Sequence, residues 1–404
     1  MKGKKLLDNM SLAPDDLVLR AEKAAARPLV WRWAALAAGV LILANGLLSR
    51  PAVGPAGPQD ASSAPALSLP LLTPSLSVGG MGFEGYMVCG LDDLSLSPLT
   101  DTDAPATLPV FENRFVRDDA GIVSYPDWEA ARTRLYTVAA ALGIEEEGVL
   151  TDDSPTAEEK ERLAQKLGVA VEDIPAFYTT PTQLTLETEE FLITAEGDLS
   201  VKIEWKTPIA LPGGLPLTGS SAKQLEAAGL WLLENHRELI GFSDPQLLLD
   251  GGDRNIYGEQ HYTVTFHEGG TDEESRLLNF WFDRVTFYGN DEGRLWLCRL
   301  QHTDRTRKVA DYPTITLQEA EGRLMLGKYL STAPETFPGL ALTERSEICY
   351  RTGGGESGFI PYYRFYVRLP GWETNGMDTY AAYYVPAIAD EYLSPDMVWD
   401  GSFN

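Results

Sequence analysis

Ile360-Pro361-Tyr362-Tyr363-Arg364-Phe365-Tyr366-Val367-Arg368-Leu369 alternates with a period of two, and that period decides the fold class. In a strand, Tyr363, Phe365, Val367 and Leu369 fall on one face and form a core. Tyr362, Arg364, Tyr366 and Arg368 fall on the other as an aromatic and cationic stripe. The stripe is a partner-facing candidate. Cation–π contacts within it, or packing against a neighbouring unit, are the alternative, because Tyr and Arg mark interfaces of every kind.

Working outward, strands are expected near 342–352, 358–369 and 378–387, behind a helix that opens at Thr316 and runs to about Leu330. Thr316 and Glu319 have capping-box spacing. The same order precedes it. Ser221 with Gln224 opens a helix carrying Leu225, Leu232, Leu233, His236 and Leu239, and strands follow at 258–267, 276–288 and 294–303, the last two joined by Asn290-Asp291-Glu292-Gly293. A first helix starts near Pro126 and carries Trp128, Ala131, Leu135, Val138, Ala139 and Leu142. A shorter one is capped by Thr156 and Glu159, and alternating strands follow through Leu184, Ile193 and Trp205. The long helix starts are 95 residues apart in both intervals. The expectation is an α+β chain of repeated helix-plus-antiparallel-meander units, each helix covering one face of its sheet. The boundaries are a first region over 81–212, a second unit over 213–308 and a third over 309–404.

Upstream, residues 29–48 hold about the bilayer-spanning number of residues with Arg32 as the only charge, so one N-terminal transmembrane helix is expected there. Trp31, Arg32 and Trp33 would sit at the membrane interface. Basic residues cluster on the N-terminal side, which places the tail 1–28 in the cytoplasm and the bulk of the chain outside, a single-pass cell-membrane protein. A cleaved signal peptide fits less well, because its charged region would be nearly thirty residues long and no small-residue cleavage site follows closely. Residues 49–80 contain six Pro, six Ser and four Gly and read as a linker.

The chain of 404 residues carries 33 Lys plus Arg against 59 Asp plus Glu, a net charge of −26. That balance argues against a nucleic-acid partner. Three cysteines, Cys89, Cys298 and Cys349, exclude a disulfide-stapled scaffold and a four-thiolate zinc site. Cys298 is expected to be buried, and a bridge to Cys349 would need facing strands.

No catalytic, cofactor-binding or metal-ligating set emerges. Ser220 and Lys223 have S-x-x-K spacing without its companion motifs. His236, His261, His267 and His302 match no metal motif. Gly251-Gly252 and Gly353 to Gly355 read as turns, since neither cluster is followed by the Lys-Ser/Thr of a phosphate loop.

Lys4-Lys5-Leu6-Leu7-Asp8-Asn9-Met10, the Arg-Trp-flanked apolar run, Gly82-Phe83-Glu84-Gly85-Tyr86, Arg284-Val285-Thr286-Phe287-Tyr288-Gly289 and Pro361 to Val367 together resemble a group of uncharacterised single-span membrane-anchored proteins of anaerobic Gram-positive bacteria. The helix-plus-meander units are loosely similar to PepSY-type domains and to extracytoplasmic regulators of histidine kinases. That resemblance implies a membrane-anchored sensor or protein-interaction module that is not an enzyme, with no cofactor. The lipid bilayer at residues 29–48 and another envelope or membrane protein would be its partners. A cell-envelope hydrolase or peptidase is one alternative; an anti-sigma-factor-like regulator acting through residues 1–28 is another.

Overall fold

The computed structural model describes residues 69–74 and 86–395, apart from 118–122, 124–125, 145–147, 219–221, 255–257, 332, 334–335 and 354. In chain order the strands are β1 (Tyr86–Val88), β2 (Thr107–Glu112), β3 (Val149–Asp152), β4 (Gln183–Glu187), β5 (Phe191–Glu196), β6 (Val201–Ile209), β7 (Pro245–Arg254) and β8 (Gln260–Glu268). They continue as β9 (Arg284–Gly289), β10 (Leu295–Gln301), β11 (Lys308–Pro313), β12 (Leu330–Ser331), β13 (Thr343–Tyr350), β14 (Gly358–Phe359), β15 (Pro361–Arg368) and β16 (Thr379–Pro386). The helices are α1 (Trp128–Ala141), α2 (Ala157–Leu167), α3 (Ala222–Asn235), α4 (Arg237–Ile240), α5 (Glu273–Phe282) and α6 (Leu317–Met325).

These elements make an α+β fold of antiparallel ladders. One eight-stranded sheet runs β3-β4-β5-β6-β10-β9-β8-β7, so two four-stranded meanders meet at their last strands, β6 and β10. Helices α1 and α3 bury Ala131, Leu135 and Leu225, Ala228, Leu232 in one shared core with Ile193, Ile203, Val264 and Phe287 of the sheet. Asp127 starts α1 by accepting a hydrogen bond from the Ala130 amide at 3.1 Å, which satisfies one of the orphan donors of the first turn.

A second sheet runs β1-β16-β15-β13, with β12 also on β16, and a three-stranded sheet runs β11-β2-β14. Helix α6 opens with the capping box of Thr316 and Glu319 and buries Ala320 and Leu324 against Tyr363, Phe365 and Tyr383. Residues 69–74, read as part of a linker, run beside the C-terminal segment: Leu72 donates to Tyr392 O at 2.8 Å and accepts from the Ser394 amide at 2.7 Å.

Three expectations are corrected. Residues 276–288 are not one strand, because Asp272 and Ser275 cap each other reciprocally and start α5, which buries Leu277, Leu278, Phe280 and Phe282 before β9 begins. The chain is not a row of separate helix-plus-meander units. The first two rounds share one sheet, and β1 and β2, which precede the first helix, complete the sheets of the third. The pattern failed there because it reads only neighbouring segments, whereas β2 finds its partners β11 and β14 at a sequence distance of about two hundred residues or more. Third, the structure does not support the expected transmembrane helix: among the described residues no helix is long and apolar enough to cross a membrane. The span expected over 29–48, its interface residues Trp31, Arg32 and Trp33, and the tail 1–28 lie outside the described residues.

Candidate functional site

The stripe on β15 faces inward. Tyr362 and Tyr366 are each 2% exposed, while Arg364 and Arg368 are half-buried. Register places Glu347 of β13 directly opposite Arg364. The Glu347 carboxylate is fully buried and accepts from Arg364 Nε at 2.6 Å, Tyr366 Oη at 2.7 Å and the Ser97 amide at 2.6 Å, with a further bond from Arg364 Nη2. Burial opposes the charge on Arg364, but Glu347 outweighs it and the guanidinium pKa is pushed up. Arg368 pairs with Glu344 at 2.6 Å nearer the surface. The partner-facing candidate is therefore largely consumed by contacts within the protein.

Trp281, the penultimate residue of α5, has two guanidinium groups close to its ring. Arg284 Cζ stands 5.3 Å and Arg364 Cζ 5.5 Å from its ring centroid, so one indole links β9 to β15 by cation–π attraction. Arg284 is further held by Asp250 Oδ2 at 3.0 Å and by donating to Phe280 O at 2.9 Å.

Two adjoining cavities open beside this stack. The first, about 330 Å3, is lined by Arg117, Glu196, Asp198, Arg299, His302 and Asp304, among others; the second, about 250 Å3, by Trp281, Arg351, Arg364 and Tyr384. Gln301, Thr352 and Gly353 belong to both, which makes them one groove. Its walls come from the β5–β6 turn, the end of β10 and the loop after β13. A roomier hollow of about 680 Å3 lies beside Arg114, Asp127 and Arg307, but its charges are surface pairs, Arg114 with Asp127 and Arg307 with Glu112. It is larger than either cavity of the groove, but burial of polar groups favours the groove.

Most groove charges are fixed by the protein itself. Arg117 reaches Glu196 at 2.7 Å and Asp198 at 2.6 Å; burial opposes its charge, yet the two carboxylates keep its pKa above the ordinary value. His302 Nδ1 lies 3.0 Å from Asp283 Oδ1, and Arg305 lies 3.3 Å from Oδ2. Burial pushes Asp283 up, but His302, Arg305 and the Thr303 amide together hold it below the usual carboxylate range. Arg351 Nε donates to Glu356 Oε1 at 2.8 Å. Asp304 is the exception. At 6% exposed it uses Oδ1 for the Thr306 amide, at 2.9 Å, while Oδ2 is buried without a hydrogen-bond partner. Trp281 Nε1 is likewise buried and unpartnered.

The other sequence candidates fall elsewhere. Ser220 and Ser221 lie outside the described residues, and Lys223 is exposed. His236 packs among the rings of Trp205, Trp231 and Phe287, and burial lowers its pKa. His267 Nδ1 contacts its neighbour's carbonyl, Glu268 O, at 2.9 Å; the side chain of His261 is outside the described set. Among the described residues no three His, Cys, Asp or Glu side chains converge as a metal site. Cys89, Cys298 and Cys349 are buried thiols, and burial together with Asp253, Asp93 and Asp378 pushes Cys89 up to about 12. Gly251 and Gly252 form a bulge inside β7 rather than a turn, and Gly353 lines the groove.

Sequence reasoning missed Asp304, Trp281 and Asp283. The signal for one partnership was present: a lone acid at 347 in phase with Cys349, and an arginine at 364 on a strand expected nearby. Nothing local marks Asp304. No family model matches the chain, and no curated protein matches it.

Proposed function

We propose that the described part of the chain is a sensor or interaction module that holds a ligand in the groove and does no chemistry on it. The observation that supports this reading is the pairing of the groove's charged side chains: Arg117 with Glu196 and Asp198, His302 and Arg305 with Asp283, Arg364 with Glu347. Groups fixed in this way are pre-organised for recognition, because little ordering entropy remains to be lost on binding.

A hydrolase is the second reading, favoured by one contact. Ser200 Oγ, in the first cavity, accepts from the His302 backbone amide at 3.1 Å, and the His302 ring is held by Asp283. That contact engages the main chain of His302 rather than its imidazole, so it orders the loop and does not activate the hydroxyl. The discriminating experiment places a photo-crosslinking amino acid at exposed Arg299 of the full chain in its native cells and, in parallel, assays the purified chain on ester and peptide substrates. Crosslinks to a ligand or partner without turnover support the module. Turnover that disappears in Ser200→Ala overturns it.

A further inference from the structure

We propose that the tip of the β15–β16 hairpin, residues 370–378, is a docking point for an arginine side chain on a basic segment of a partner protein. None of these residues lines either cavity of the groove, so the surface goes beyond the reading above and is tested apart from it.

Trp372, 49% exposed, is the only tryptophan among the described residues that stands open to solvent. Tyr86 of β1 stacks on it, with ring centroids 5.1 Å apart and planes 16° from parallel. The backbone fixes its place. The Trp372 amide donates to Leu369 O at 3.2 Å, and its carbonyl accepts from Thr379 Oγ1 at 2.6 Å. Thr374 and Met377 exchange both amide bonds at 3.0 Å across the Asn375-Gly376 turn, where both residues have positive φ, +53° and +78°. An indole held in this way loses little freedom when a partner covers it. Trp also gives the strongest cation–π face, and Trp and Arg are enriched among the residues that dominate interface energies.

Charge selects the partner. Glu373 and Asp378 are exposed on the same tip, and the Gly371 amide, donating to Glu373 at 3.1 Å, helps to keep that carboxylate below the usual range and therefore charged. The neighbouring guanidiniums are engaged already: Arg368 with Glu344 at 2.6 Å, and Arg254 by donating at 2.8 Å to the carbonyl of Gly258, which lies against Asn375. With Asp253, four carboxylates face two guanidiniums at this corner, and buried neighbours register the excess. Burial, then Glu344 and Asp378, push the Tyr380 hydroxyl up, and Asp253, Asp93 and Asp378 add to burial at Cys89. Arginine answers both features, because its flat, weakly hydrated guanidinium stacks on an indole and its fork matches a carboxylate. The same carboxylates repel an anionic lipid surface or a nucleic acid, and a second copy of the chain, net charge −26, brings more of them.

The test is fluorescence anisotropy of a fluorescein-labelled peptide, Gly-Arg-Gly-Arg-Gly-Arg-Gly, titrated with the purified full chain. The same peptide with citrulline for arginine keeps the shape, removes the charge and should bind about tenfold more weakly. Trp372→Ala leaves the charge of the chain unchanged and should weaken the arginine peptide about fivefold, the worth of one cation–π contact; Trp372→Phe should weaken it less. Glu373→Gln with Asp378→Asn should weaken it about fivefold as well, whereas Glu161→Gln with Glu172→Gln, two exposed carboxylates on and just after α2, should leave it unchanged. Circular dichroism verifies the fold of each variant. The proposal is overturned if Trp372→Ala binds as tightly as the parent, if the two double variants weaken binding equally, or if chitotetraose binds through Trp372 and the arginine peptide does not. The groove reading is decided separately, by crosslinking at Arg299 and turnover at Ser200.

Discussion

The eight-stranded sheet and the β13-β15-β16 sheet solve burial differently. In the first, strands such as β6 bury alternate residues, Val201, Ile203 and Trp205, under α1 and α3. In the second, β16 is buried along its whole length and β15 at all but its two arginines, so both faces are covered. One face meets α6 through Tyr363 and Phe365; the other meets Trp281 and the groove. A sheet covered on one side sends its polar residues to water. A sheet covered on both must pair them, which is why Glu347 and Arg364 face each other in the interior. The contrast places the buried ion pair in the second region, where polar groups hold one another in place.

The largest effect that would sharpen the contrast is Glu347→Ala. It leaves Arg364 buried without its partner and should destabilise the protein by about 3–5 kcal/mol in denaturant unfolding. The paired change Glu347→Leu with Arg364→Met should cost far less, because no orphan charge remains. If the single change costs no more than the double, the pair is a bystander. In the other region, Leu135→Ala removes a fully buried side chain from the shared core. It should cost about 3 kcal/mol from lost burial and the cavity left behind, with no rescue by a second substitution.

The same contrast explains what could be read in advance. The meanders β4-β5-β6 and β8, β10 follow the alternation of one-sided strands, and capping boxes at Thr156 and Thr316 mark α2 and α6 at their first residues. Helix α5 was misread because Leu277, Phe280 and Phe282 are apolar and aromatic enough to suit a strand, and only the Asp272 and Ser275 cap tells otherwise. On β15 the two faces were assigned as the structure has them, but what covers the stripe is α5 and Glu347, brought there by tertiary folding. The groove was illegible for the same reason: Asp198, Trp281, Asp304 and Thr352 come from four separate segments.

A smaller effect probes the seam between the regions. Gly252 in β7 has φ +104°, and a Cβ there would meet the backbone oxygen of Asp93 at 2.0 Å. Gly252→Ala should cost more than about 1 kcal/mol through strain and displacement of residues 91–95. Loss of the bond that the Gly251 amide donates to Ser95 Oγ, now 3.1 Å, would show it as a local rise in amide exchange. An unstrained, equally stable variant would mean that the two regions slide past each other without cost.

The smallest effect is a pH slope confined to one region. Burial among Trp205, Trp231 and Phe287 lowers the pKa of His236, and burial lowers that of His267 despite the Glu268 carbonyl. Each folded pKa lies below the unfolded value of about 6.5, so the unfolded chain binds more protons on the acid side. Stability therefore declines as pH falls below about 6.5 and through the folded pKa values. Residues 308–393 contain no histidine. Hydrogen-exchange protection, corrected for intrinsic rates, should accordingly begin to fall in β8 and α3 before it falls in β13, β15 and β16. His236→Gln should flatten that early loss. Simultaneous loss in both sheets, unchanged by the substitution, would show that the two regions unfold as one cooperative unit and that their different chemistry does not divide their stability.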